Sequence, residues 1–206
     1  MKFKEDVDAY GFDSERPLDE IISQFCESKG PKNFGPIVGY ITTCRRAGLI
    51  DPMMCLESLL RLCNCDHSEF WEFYEGIVAH VYYVIRECGL SDDAYIPRIL
   101  KLCVDASQHS LTFFDKRQER LNLELLHLVS GLATLEREWK SDENTHILIR
   151  VMDQVTSQLL PIAASTDPIV SFLLRDYLDE IEFVIAKMKE MRANLADNTI
   201  THGGVV

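Results

Sequence analysis

Cys63, Cys65 and His67 alternate over five residues of the stretch RLCNCDHSEFWEFYEG, a spacing that offers three soft ligands to one metal ion. A structural zinc site takes four such ligands in tetrahedral reach, and Cys55 or Cys44 would have to supply the fourth. Alternate residues converge on one ion only where the backbone is not helical. Asn64 and Asp66 could provide that break. The same residues also read as a plain junction between two helices. Cys63 then continues the apolar face of Leu59, Cys65 sits in the turn, and Asp66 caps the next helix with Glu69 at capping-box spacing. The junction is the preferred reading, so neither metal nor other cofactor is expected, and Cys63, Cys65 and His67 remain the set that would hold one.

Carboxylates offer two further chemistries. Glu69, Glu72 and Glu75 recur at i, i+3 and i+6, a pattern that holds magnesium when a second acidic pair faces it. Asp92 and Asp93 lie beyond the helix end, so a solvated face is expected instead. Glu124-x-x-His127 and Glu143-x-x-His146 both have the spacing of di-iron bundles. If the chain turns back near Lys140, His127 faces roughly position 154 and not His146, so no joint site is expected.

Arg120, Glu124 and His127 share one helical stripe. The element Arg120-x6-His127 resembles the Arg-x4–6-His motif of HEPN-type ribonucleases, and Arg61-x5-His67 has the spacing too. The resemblance covers two residues, and Leu121 stands where that family usually has a polar one. It implies an all-helical, usually dimeric ribonuclease of bacterial defence or toxin systems, independent of metal, whose Arg and His act on the RNA backbone across the dimer interface. Read without the resemblance, Arg120 and Glu124 form an i,i+4 pair and His127 borders the core. No nucleophile elbow, P-loop or dinucleotide fingerprint occurs.

Charge narrows the field. Twenty-one basic and 33 acidic residues leave a net charge of -12. That repels phosphate, so nucleic acid is not an expected partner. The acidity is uneven: residues 31–65 carry four basic and two acidic groups, residues 141–206 five and ten. A basic partner would be steered to the C-terminal part. No run of about 18 apolar residues is present, so no membrane span is expected. The first residues show no apolar signal core, which places the expected protein in the reducing cytoplasm. The seven cysteines mostly occupy apolar helical positions and read as small buried hydrophobes, not as a disulfide framework.

These groups must be carried by helices. Strand alternation and hairpin turns are nearly absent, and apolar residues recur at three and four throughout. Seven or eight helices are expected in one compact all-α bundle spanning 1–195, with a weak sub-boundary at 107–111 and a flexible tail at 196–206. Asp51-Pro52 and Asp167-Pro168 each place Asp at an N-cap and Pro at N1. Gly48 should stop the second helix. The helix from near Asp66 to near Cys88-Gly89 is apolar on nearly every side between Phe70 and Ile85, as a central helix is. In the last helix Val170, Leu174, Tyr177, Ile181, Val184, Met188, Met191 and Leu195 step four, three, four, three, a heptad-like seam.

The reading that fits best is a non-catalytic, acidic helical protein–protein interaction module: an adaptor, inhibitor, immunity-type or regulatory subunit. Its partner would be another protein, a basic one, met by Asp176, Asp179, Glu180 and Glu182; a second copy could pair through the C-terminal seam. The alternative is the HEPN-like ribonuclease using Arg120 and His127.

Overall fold

The helical periodicity is realised throughout. The computed structural model describes residues 16–28, 34–65, 71–88, 94–110, 116–136, 139, 141–163 and 168–202. Among them no strand occurs, and eight helices follow in order: α1 (Leu18–Glu27), α2 (Phe34–Arg46), α3 (Pro52–Leu62), α4 (Trp71–Cys88), α5 (Ile96–Ser110), α6 (Lys116–Leu135), α7 (Asp142–Ala163) and α8 (Pro168–His202). The all-α class expected from the sequence is the class observed.

Local chemistry sets several of the ends. Pro17 occupies the N-cap of α1. Asp51 caps α3 as expected: its carboxylate accepts the Met54 N–H at 2.8 Å, and Pro52 follows at N1, where a missing N–H leaves nothing unpaired. The end of α2 is a Schellman turn. Gly48 takes φ +71°, its N–H donates to Arg45 O at 2.9 Å, and the Leu49 N–H donates to Cys44 O at 3.0 Å. A side chain at Gly48 would be strained by that φ even though the space around it is open.

The chain divides after Gly89 into two units, 1–89 and 90–206. The expected sub-boundary at 107–111 begins inside α5, which runs unbroken to Ser110. In the first unit α2, α3 and α4 pack on one another and α1 packs on α3. Ile22, Ile37, Ile41, Leu56, Leu59 and Ile77 are fully buried there. In the second unit α7 packs against α5, α6 and α8, over a core that includes Leu100, Leu125, Leu128, Met152 and Val155. Gln154 ties α7 to α5: its Nε2 donates to Ser107 O at 2.8 Å.

The seam of α8 faces inward. Ile181, Val184, Met188 and Met191 are all buried within the second unit, against α6 and α7. The expected tail at 196–206 begins inside α8, which continues to His202. Once a helix is nucleated each further residue adds one hydrogen bond, so the helix outlasts its apolar pattern. Residues 203–206 lie outside the described residues.

Candidate functional site

Cys65, the middle residue of the candidate metal clip, has another partner. Cys65 is disulfide-bonded to Cys26, with their Cα atoms 5.4 Å apart, in the usual range for such a bond. For Cys26 and Cys65 this corrects the reading of the cysteines as small buried hydrophobes, which Cys44, Cys55 and Cys103 follow. A thiol already joined to a second sulfur is no metal ligand, so the disulfide takes Cys65 out of the alternative set Cys63, Cys65 and His67; His67 itself lies outside the described residues. The pairing joins α1 to the turn after α3, across 39 positions of sequence. Arg61 reinforces the same junction: Nη1 meets Asp19 Oδ1 at 3.0 Å and Nη2 donates to Ser23 Oγ at 3.0 Å. That use of Arg61 turns the second Arg-x-His spacing into a structural contact with α1. Cys44, Cys55 and Cys103 are buried free thiols, and Cys63 is half-buried.

Among the described residues no group of three or more His, Cys, Asp or Glu is arranged to hold a metal ion. Glu143 and His146 are exposed in the first turns of α7, far in role from the half-buried His127. Glu69, Asp92 and Asp93 lie outside the described residues, as does the side chain of Glu72.

Arg120 and His127 sit on α6 two turns apart, roughly 10 Å along the axis at 1.5 Å per residue. Arg120 points to solvent. His127 is committed elsewhere: its Nδ1 lies 2.8 Å from Glu180 Oε2, and its ring centroid is 5.4 Å from that of Tyr177. Both partners belong to α8, so this contact ties α6 to α8 at the edge of the apolar seam.

The four acidic residues of α8 therefore separate. Glu180 turns to His127, with its side chain only 23% exposed. Asp179 and Glu182 are exposed on the outward side. The side chain of Asp176 lies outside the described residues. Next to the two outward acids on the helix surface, one turn beyond Asp179, stands Phe183, 37% exposed. Asp179, Glu182, Phe183 and Ala186 follow the i, i+3, i+4, i+7 spacing of one face, opposite the buried seam. Sequence reasoning found the acids and missed the aromatic among them, because the residue falls between two heptad positions and carries no charge.

A second locus was not singled out from the sequence. A cavity of about 650 Å³ opens in the first unit where α2 ends, the Gly48 turn reverses the chain and α3 begins. Arg45 and Arg46 enter it from the last turn of α2; His80, Tyr83 and Glu87 enter from α4 at i, i+3 and i+7. Arg45, its side chain only 16% exposed, is ion-paired to Glu87. Burial, together with the positive charges of Arg46 and Arg45, pushes the His80 pKa down, so the imidazole is neutral at pH 7. The available signal was the local excess of basic residues at 31–65 in an acidic chain.

Comparison with protein-family models, with curated proteins and with solved structures finds no match to this chain.

Proposed function

We propose that the chain is a non-catalytic recognition module, an adaptor or regulatory subunit that binds a basic protein through the outward face of α8. The observation that carries this reading is Phe183, an exposed aromatic on the same outward face as Asp179 and Glu182. Interface anchors are commonly aromatic residues surrounded by a polar rim. Acidic residues around the ring supply complementarity to lysine and arginine and raise the encounter rate at low salt. The inward face of the same helix is buried from Ile181 to Met191, which supports a partner on the outward face over a second copy on the seam. Neither span nor anchor is invoked: among the described residues no helix is long and apolar enough to cross a membrane. The cytoplasm belongs to the same proposal: among the described residues Cys44, Cys55, Cys63 and Cys103 take part in no disulfide, and the Cys26–Cys65 bond is the feature that speaks for an oxidising compartment instead.

Affinity capture with the full chain, followed by mass spectrometry, tests this reading. A basic protein should be retained by the wild type, weakened by raising the salt concentration, and reduced at least tenfold by Phe183→Ala or by Asp179→Asn with Glu182→Gln. An identical set of retained proteins for all three chains would remove α8 as the docking face. RNA cleavage by the purified chain, lost in His127→Ala, would place it among enzymes instead.

A further inference from the structure

We propose that the cavity at the corner between α2 and α3 is a binding site for a small organic oxyanion, a carboxylate or phosphoryl group on an apolar body, held by Arg45 and Arg46 beside His80. The site is independent of the α8 face and lies wholly within the first unit. Its volume of about 650 Å³ falls within the roughly 300–1,000 Å³ typical of small-molecule sites.

The charges around the cavity are not equivalent. Glu87 is engaged by Arg45. The Asp51 carboxylate accepts the Met54 N–H at the start of α3. Arg46 is exposed and makes no ion pair among the described residues. It is the arginine of the cavity that no ion pair holds, with the Asp51 carboxylate elsewhere on the same lining. Arg45 is held in the wall by Glu87, which engages one Nη2 of a five-donor guanidinium. The carboxyl end of α2 carries about half a negative charge, which favours arginines in the last turn and is smaller than the charge they bring.

His80 adds a donor or acceptor to the same lining. An oxyanion lying between Arg46 and His80 would offset the repulsion that keeps the imidazole neutral, so binding and protonation of His80 should reinforce each other. Tyr83, 48% exposed, joins Ile50 and Pro52 as the apolar part of the lining. A flat or short apolar body fits against these, while a bare ion would leave them wet. The net charge of -12 does not exclude an anion, because charges beyond a Debye length of about 8 Å are largely screened at physiological salt.

The test uses the full chain, with the His80 ring signals followed by NMR and identified by their loss in His80→Gln. Inorganic phosphate and benzoate are titrated separately between pH 6 and 7. The expected result is a saturable shift of the His80 signal, a higher His80 pKa in the bound form, and at least a tenfold weaker affinity in Arg46→Gln. Arg192→Gln, an arginine of the second unit, should leave the affinity unchanged. Saturation by phosphate alone assigns a phosphoryl ligand, by benzoate alone an apolar carboxylate, and by both the shared oxyanion. Tyr83→Ala should weaken benzoate and spare phosphate. A shift that never saturates with either salt, or affinities equal in wild type and Arg46→Gln, overturns the proposal.

Discussion

His80 shows how a single residue acquires its chemistry from neighbours distant in sequence. On α4 it reads as a lone histidine in an apolar helix. In the fold it stands beside Arg45 and Arg46, half-buried, with its pKa below the ordinary 6.5. The consequence for stability has a definite sign. Above pH 6.5 the imidazole is neutral folded and unfolded. As pH falls below that value the unfolded chain takes up a proton first, so the unfolded state binds more protons and stability declines. Urea unfolding at pH 7.5 and 5.5 should show a larger loss for the wild type than for His80→Gln. Equal losses would mean that the arginines and burial do not act on this ring. His127 makes the contrasting case. Its spacing to Arg120 was legible in sequence, but its partners, Glu180 and Tyr177, come from a helix 50 residues further along the chain. Spacing within one helix fixes which residues share a face; it does not fix what that face meets.

At the scale of elements, capping and breaking signals were the most legible. Asp51-Pro52 opens α3 and Gly48 closes α2 because side-chain oxygen, fixed proline φ and glycine's positive φ act within one turn. The end of α8 was not legible, since a helix can continue past the last apolar residue at little cost. Nor was the link between α1 and the end of α3. Cys26 and Cys65 are separated by 39 positions, and only the docking of α1 on α3 brings them together. Closing a loop of that length restricts the unfolded chain by about 4 kcal/mol in the loop-entropy model, within the roughly 2–5 kcal/mol seen when native disulfides are removed. Urea unfolding with and without a reducing agent should differ by about that amount, and Cys26→Ser with Cys65→Ser should reproduce the reduced curve and no longer respond to reductant. An oxidised midpoint that reductant leaves unmoved would show that the two sulfurs are not joined.

For the whole molecule, composition announced acidity and apolar spacing announced helix content, and both bear on how the chain behaves in parts. The second unit contains α5 to α8 with its own buried leucines and methionines. A fragment spanning 90–206 should therefore be helical by circular dichroism and unfold in one cooperative transition. A gradual, uncooperative melt would show that its core depends on residues 1–89. The sequence alone determined the class of the fold, because three-and-four spacing of apolar residues is a local property that only helices can bury. It also determined the helix starts with strong caps and the surplus of negative charge. What the tertiary structure decided was pairing: Cys26 with Cys65, His127 with Glu180, His80 with the arginines, and the seam of α8 with the interior of its own unit. Those outcomes depend on which helix docks against which, and docking is governed by the shape of whole faces, summed over many weak contacts, that no short window of sequence contains.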